Sequence, residues 1–426
     1  MSSQRRLLVI TYHYPPDEAI GGMRWAGFTR YLADLGWESV LVTGISCPRR
    51  RTLNDFYKGL RQARPNGDAR ASQAGENGDR AKSAAGIAQL KFEAGMLLAL
   101  PDDGRGWILR AARFARQEIA AQSPDVVISS GPPHSAHLAA WLATRGSDVR
   151  WIADFRDPWA GPHGGAWRAS ATQRSGIARW LLPRLERLVL QSADGVLCNT
   201  REFAGALSAK YPHATIDWIP NGVDGDALPR ITDAPFPGLS ITHIGTLYGG
   251  RDVEPVLRAM RLLFDAHPDA VADTRLRLAG QVEQRYRPHL ATEIAQLALS
   301  ECVEELGVVP RSEALALSAR SRLALVLAQQ QDLQVPAKLY ELVAMRVPTL
   351  VIAESDSASA SEARRLGALA LEPGDVTGIA AVLAAAREGR LPRPSRDSAA
   401  LHYRDLSHDL DRVLSRNGVR YVAKRH

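Results

Sequence analysis

Among its 426 residues the chain has only three cysteines, Cys47, Cys198 and Cys302, with no CxxC spacing and no histidine cluster beside them. An odd, scattered set of this kind excludes a disulfide framework and a structural zinc site, and marks the three as ordinary reduced thiols. Long apolar runs are missing too. Stretches such as residues 95–100 and 323–328 fall far short of the roughly 18–20 residues that would span a bilayer. The chain starts Met-Ser-Ser-Gln-Arg-Arg and passes directly into Leu7-Leu-Val-Ile10, without the length or small-residue cleavage site of a signal peptide, so the expected location is the cytoplasm. No GxGxxG follows that first apolar strand, and Gly21-Gly22 lies too far beyond it, which argues against a nicotinamide dehydrogenase. The net charge of +7 comes with dispersed arginines and no helix-turn-helix, zinc-finger or RRM pattern, so nucleic acid is not the expected partner.

What is present is the composition of a soluble globular protein, 45% hydrophobic and 23% charged. The length exceeds a single ordinary core, and two domains of roughly 200 residues are expected. Apolar strands and helical patterns alternate. Residues 7–11 read as a strand, a helix carries Trp25, Phe28, Leu32 and Leu35, Gly36 ends it, and residues 39–43 read as the next strand. This opening predicts a parallel, doubly wound sheet. Alternation is interrupted at residues 61–86, whose Gly, Ala, Asn and Arg content predicts a flexible surface insertion. It resumes with strands at 125–130, 150–154 and 195–199. The proline-bearing stretch 215–238 has the composition of an interdomain connection. A second series follows, with strands at 239–244, 276–280, 323–328 and 349–352 and a helix near 376–388. The expected organisation is a first domain over 1–224, a linker over 225–238, a second domain over 239–395 and a charged helical tail over 396–426.

The stretch Ile241-Thr-His-Ile-Gly245-Thr246-Leu-Tyr-Gly249-Gly250-Arg251-Asp252 carries the most chemistry. A strand that runs into a glycine-rich turn, an arginine and a helix start has the form of a diphosphate site, because unpaired helix N–H groups and the helix dipole attract anions. Arg251 can meet phosphate oxygens bidentately while the Gly249 and Gly250 backbones approach closely. Asp252 can N-cap a helix that buries Val256, Leu257, Met260, Leu263 and Phe264. Further on, Pro336-Ala-Lys338-Leu-Tyr-Glu341 begins another helix, with proline tolerated in its first turn. A cleft-facing Glu341 can accept two hydrogen bonds from a ribose.

In the first half, His134 follows a strand at a strand-to-helix crossover, where parallel sheets bind ligands. A capping or packing role suits it equally. Asp154 can end its strand, Asp157 before Pro158 can form an Asx turn, and a cleft-facing Asp157 can instead bond an acceptor hydroxyl. Arg24 is placed against the helix dipole, which costs up to ~1 kcal/mol unless an anion is near. A donor phosphate, an acceptor phosphate or a salt bridge to Asp17 or Glu18 would each supply one.

Taken in order, Pro15-Pro16 with Gly21-Gly22-x-Arg24, Asp154-Phe-Arg156-Asp157-Pro-Trp159, Ile219-Pro-Asn-Gly-Val-Asp224, Gly245-Thr-Leu-Tyr-x-Gly-Arg251 and Lys338-Leu-Tyr-Glu341 resemble the retaining GT-B glycosyltransferases of family four. The similarity is closest to the branch that builds bacterial surface polysaccharides and glycoconjugates, and it covers nearly the whole chain apart from residues 61–86. It implies two Rossmann-like domains facing a cleft, a UDP- or GDP-linked sugar as donor in the second domain, a glycan or lipid-linked acceptor in the first, and no metal or other cofactor. It implies donor contacts from Gly21, Gly22, Gly245, Thr246, Gly249, Gly250, Arg251, Lys338 and Glu341, with His134 near the donor hexose. The acceptor side would hold Arg24, Asp154, Arg156 and Asp157, and the catalytic set would be His134, Asp157, Arg251 and Lys338. Many relatives have an arginine where this chain has Thr246 and a lysine where it has Arg251, so Lys338 is the candidate for the missing cation. The family's first glutamate, a donor-sugar contact, falls at Leu333.

Two arginine-rich, tryptophan-bearing segments, 105–119 and 174–190, suit an anionic membrane surface. They suit equally well a helix with a buried stripe and a solvated basic face. Two other functions share the architecture: a nucleotide-sugar epimerase and a non-catalytic nucleotide-sugar-binding protein.

Overall fold

A computed structural model of the chain describes residues 5–16, 20–44, 78–160, 175–229, 233–394 and 401–416. Apolar strands with polar or glycine-rich ends assemble into two parallel sheets of six strands each. The first contains β1 (Arg5–Thr11), β2 (Trp37–Val42), β3 (Val126–Gly131), β4 (Arg150–Phe155), β5 (Gly195–Cys198) and β6 (Ile216–Trp218) in the order β2-β1-β3-β4-β5-β6. The second contains β7 (Leu239–Ile244), β8 (Thr274–Ala279), β9 (Val303–Gly307), β10 (Leu323–Leu327), β11 (Thr349–Ile352) and β12 (Leu369–Leu371) in the order β12-β11-β10-β7-β8-β9. Every pairing between these strands is parallel. The doubly wound α/β architecture expected from the sequence is therefore present twice.

Strand alternation explains why both faces are covered. Leu8 and Ile10 of β1 enter a core with Trp107, Ala111, Ala136 and Leu182, whereas Leu7 and Val9 enter another with Trp25, Phe28 and Leu410. The chain reverses its winding between β1 and β3, and again between β7 and β10. In open parallel sheets such switch points leave a crevice beyond the carboxyl ends of the strands.

Several elements differ from the sequence expectation. Residues 61–77 of the anticipated insertion lie outside the described residues, but residues 78–86 open a long helix, Gly78–Ala99. The stretch read as a connection from residue 215 contributes the edge strand β6. In the C-terminal stretch the helix Tyr403–Ser415 packs on the first sheet's helical layer. There Tyr403 meets Phe28 edge-on at 5.0 Å, and Leu406, Leu410 and Leu414 share the core of Leu7, Val9 and Trp25. Arg5 anchors it at Asp411, 2.8 Å away.

Arg24 and Asp154 were expected on an acceptor surface. Both are instead enclosed, at 0% exposure, and face each other at 3.3 Å. Asp154 also accepts from the Trp25 indole at 2.9 Å and from Ser130 Oγ at 2.7 Å. Arg24 donates further to the carbonyls of Ile219 and Pro220 and to Asn221 Oδ1. With their hydrogen-bonding capacity spent inside the protein, the two are structural in this arrangement. The dipole cost at Arg24 is offset by this buried carboxylate, while Asp17 and Glu18 lie outside the described residues. Removing one partner of a buried, bonded pair leaves an uncompensated charge, which costs about 3–5 kcal/mol. Asp154→Ala is therefore expected to lower the urea midpoint of the first domain sharply, and an unchanged midpoint would contradict the pair's structural role.

Candidate functional site

A cavity of about 480 Å3 lies between the carboxyl ends of the two sheets. The first domain contributes Arg156 and Asp157, immediately after β4, with Asn199 and Asn221. The second contributes Ile244, Gly245 and Thr246 at the end of β7, the segment from Gln331 to Lys338 after β10, and Arg251, Arg311 and Glu341. Both switch-point sheets thus present their ligand-binding edges to one space.

Gly249 and Gly250 do not line the cavity. They form the tip of a tight turn in which the Arg251 amide donates to the Tyr248 carbonyl at 2.7 Å, and this turn aims Arg251 back at the cleft. The Arg251 guanidinium lies over the Tyr248 ring at 5.5 Å, donates to Gln331 Oε1 at 3.1 Å, and keeps its Nε buried without a partner. Asp252 accepts from the Glu254 amide at 2.8 Å and from the Tyr286 hydroxyl, so this carboxylate already occupies the start of the following helix, Glu254–Ala266. The cavity faces the start of a different helix, Lys338–Ala344, through Pro336, Ala337 and Lys338.

Lys338 is buried and donates to the Ile244 carbonyl. Burial, reinforced by the nearby Arg251 charge and opposed by Glu341, pushes its ammonium well below the usual lysine range. Gly245 makes room for it: φ is +126°, and a Cβ there would fall 2.8 Å from Nζ. His243 lies beneath, its Nδ1 3.2 Å from the Leu325 carbonyl and its buried Nε2 unpartnered, and burial with the Lys338 and Arg251 charges keeps it neutral. Glu341 is not free, since Arg311 forms an ion pair with it at the cavity wall.

On the opposite wall Arg156 donates from Nε to Ser130 Oγ at 3.1 Å and from Nη2 to the Pro132 carbonyl. Burial lowers its pKa, while Asp157 and Asp154 oppose that shift. Gly21 is required by this arginine, because a Cβ would stand 2.0 Å from Nη1; a Cβ on Gly22 would stand 2.9 Å from the Tyr14 backbone. The two glycines therefore support the wall without lining the cavity. Asp157 accepts from Gln334 Nε2 at 2.7 Å, a bond between the domains, and Thr200 Oγ1 donates to the Leu333 carbonyl at 2.7 Å beside it.

His134 is also absent from the cavity lining. It stacks on Trp159 at 4.8 Å, next to His137 on Phe155 at 4.3 Å. Burial lowers both imidazoles, His137 to about 3, so both are neutral packing groups in this arrangement. Asp252, Glu254 and His289 bring ligand atoms within 4.8 Å of one another, the spacing of a metal site, but their carboxylates already serve Tyr286, the Glu254 amide and Arg258.

Thus Gly245, Thr246, Arg251, Lys338, Glu341, Arg156 and Asp157 are brought together, and Gly21, Gly22, Arg24, His134, Asp154, Gly249 and Gly250 stand behind or outside them. Sequence reasoning missed Asn199, Arg311, Gln331 and Gln334. Asn199 and the glutamines sit just past the carboxyl ends of β5 and β10, a positional signal that the strand reading already contained.

Comparison with known proteins agrees with this geometry. The pattern of a glycosyl transferase 4-like domain matches residues 21–222. Among solved structures, sucrose-phosphate synthase from Thermosynechococcus elongatus superposes with a TM-score of 0.62 at 14% identity, covering 96% of this chain and 98% of that one. HepE of Anabaena, solved with UDP and glucose, gives 0.58 at 14% identity, covering 96% and 99%. A putative UDP-N-acetylglucosamine 2-epimerase from Listeria monocytogenes gives 0.52 at 15% identity, covering 96% and 94%. No curated protein matches the sequence at a significant level. Residues 21–222 match the pattern of a glycosyl transferase 4-like domain, and the chain has the two-domain GT-B architecture of these structures.

The charge arrangement makes a direct prediction. An anion entering the cavity relieves the repulsion between Arg251 and Lys338 and stabilises the ammonium, so it raises a lysine pKa that burial has lowered. Between the two values binding takes up a proton, and affinity falls as pH rises through that window. Titrating UDP calorimetrically in buffers of different ionisation heat should show proton uptake in the parent and none in Lys338→Met. Equal uptake in both would remove Lys338 from the anion site.

Proposed function

We propose that the protein is a glycosyltransferase that moves a sugar from a UDP- or GDP-linked donor to a hydroxyl acceptor with retention at the anomeric carbon. The observation that carries this reading is the cavity's charge: Arg156, Arg251, Arg311 and Lys338 line it against only two carboxylates, Asp157 and Glu341. Held in place in the cleft between the two domains, that excess stabilises the charge of a departing nucleoside diphosphate. Arg251 and Lys338 take the diphosphate. Glu341 takes the ribose once the ligand hydroxyls compete with Arg311. The first domain presents the acceptor, a glycan or lipid-linked sugar of polysaccharide or glycoconjugate assembly, with Asp157 and Arg156 at its edge of the cavity.

The cavity holds no pair of free carboxylates of the kind a retaining hydrolase uses. Asp157 is bonded to Gln334 and Glu341 to Arg311. Attack on the donor's front face, with the acceptor proton passing to a donor phosphate oxygen, fits this lining, and no step calls for a metal or other cofactor. The likeness to an epimerase keeps a second reading open at the level of fold, and a protein that only binds nucleotide-sugars is a third.

A panel of UDP- and GDP-sugars separates the three. Free nucleotide with a glycosylated acceptor of unchanged anomeric configuration supports transfer, an isomerised nucleotide-sugar marks an epimerase, and binding without turnover marks a sensor. Arg251→Ala should weaken UDP or GDP binding by about tenfold or more, since a charged hydrogen bond contributes roughly 1.5–3 kcal/mol. Its melting temperature should hold. Equal nucleotide affinity in the variant and the parent would sink the diphosphate assignment.

A further inference from the structure

Among the described residues, the first domain leaves several large apolar side chains exposed. On the helix Gly78–Ala99, Leu90 is 71% exposed and Leu97 and Leu98 are each 53% exposed. Ala94 lies between them at helical spacing, so the outward face of this helix is apolar while Met96 and Ala99 pack inward. Leu109, at 75%, and Trp180, at 57%, begin the neighbouring helices Ile108–Gln122 and Gly176–Ser192. The apolar stripe anticipated in segment 105–119 is a different one: Trp107 and Ala111 face the core.

Local hydrogen bonds gather these positions at one end of the domain. Glu93 caps the helix Gly176–Ser192, accepting from the Gly176 amide at 2.8 Å and the Ile177 amide at 3.2 Å. Asp102 accepts from the Ser135 amide at 2.9 Å, at the start of the helix Ser135–Thr144. The segment from Leu90 to Asp102 therefore runs across the N-terminal ends of helices that run antiparallel to the strands. That is the carboxyl edge of the first sheet, the edge on which Arg156 and Asp157 follow β4.

The exposed charge around this face is mainly basic, with Asp103 as an exposed carboxylate among it. Arg110 and Arg113 are exposed beside Leu109, and Arg184 is exposed with its guanidinium 4.2 Å over the Trp180 indole, while Arg187, further along the same helix, is exposed as well. The nearby carboxylates Glu93 and Asp102 are turned inward to helix starts. Leucines and a tryptophan ringed by arginines fit one occupant, the headgroup and upper acyl region of an anionic bilayer. We propose that this face docks the protein on such a bilayer, so that the acceptor edge of the cleft opens at the membrane surface. The proposal deepens the reading of the first domain as the acceptor side and rests on that reading for its purpose. Among the described residues no helix is long and apolar enough to cross a membrane, so the contact is superficial.

The test is co-sedimentation of the full chain with vesicles of phosphatidylglycerol and phosphatidylcholine, against phosphatidylcholine alone. Binding to the anionic vesicles is expected at low salt and should weaken as salt shortens the screening length to about 8 Å. Leu97→Gln, Leu98→Gln and Leu109→Gln combined should reduce partitioning by about tenfold or more at unchanged net charge. Arg184→Gln with Arg187→Gln should weaken binding and flatten its salt dependence. The proposal is overturned if the parent ignores anionic vesicles at low salt, if the leucine variant partitions like the parent, or if the parent is a dimer that the leucine substitutions dissociate. UDP affinity, measured on the same samples, should be unchanged throughout. Its absence alongside intact vesicle binding would count against the donor reading and leave the docking surface standing.

Discussion

The buried ion pair between Arg24 and Asp154 is the constraint on which the cleft depends. Asp154 orients Ser130 by accepting its hydroxyl proton, and Ser130 in turn accepts from Arg156, the cation on the first domain's wall of the cavity. From its other side Arg24 holds the carbonyls of Ile219 and Pro220 and the amide oxygen of Asn221, the residues that lead the chain toward the second domain. One enclosed charge pair thus fixes a cavity arginine and a cavity asparagine together. A pair so deeply buried contributes little net stability compared with an apolar replacement. Its effect is geometric, because each additional donor or acceptor in the network has a single satisfied position.

The second wall is governed by like charge. Lys338 and Arg251 are close enough to lower the lysine's proton affinity, and Arg311 consumes part of the Glu341 charge that would otherwise relieve them. A site in which a buried Lys338 faces Arg251 is poised for an anion: the ammonium is disfavoured by burial and by like charge, and becomes favourable when a diphosphate arrives. The Ile244 carbonyl accepts from Lys338 and Arg251 stacks on Tyr248, contacts that hold both side chains in place for an incoming anion.

How much of this was legible in the sequence follows from the range of the interactions involved. Central strands were visible because burial on both faces demands a run of apolar residues, as in Leu7 to Ile10 or Leu323 to Leu327. The strands that escaped, β6, β9 and β12, are all sheet edges: β6 and β9 mix polar residues into their span, and β12 is only three residues long and half-exposed. Arg251, Lys338 and Glu341 were legible because local turn and helix chemistry singled them out. Arg24 and Asp154 were assigned to the wrong environment because their pairing spans much of the first domain, and no local pattern distinguishes a buried ion pair from two ligand contacts. Arg311 was invisible for the same reason: its function depends on where a separate helix places it.

Leu333 shows how a departure from a family pattern can be structural and functional at once. Where relatives are expected to have a glutamate against the donor sugar, this chain has a leucine packed on the core of the first domain, with its carbonyl held by Thr200. The next residue, Gln334, bonds Asp157 across the cleft. A charged side chain at 333 would have to enter that apolar contact unpaired, which is costly, so the position serves domain contact in this arrangement. On the proposed reading, recognition of the donor sugar then falls to neutral groups on the same segment, Gln331 and Gln334, together with Asp157. An amide offers both a donor and an acceptor, whereas a carboxylate offers only acceptors. A sugar hydroxyl can answer either group, since it both donates and accepts; because Gln334 already bonds Asp157 across the cleft, contacts from the two domains to the sugar are linked on this reading.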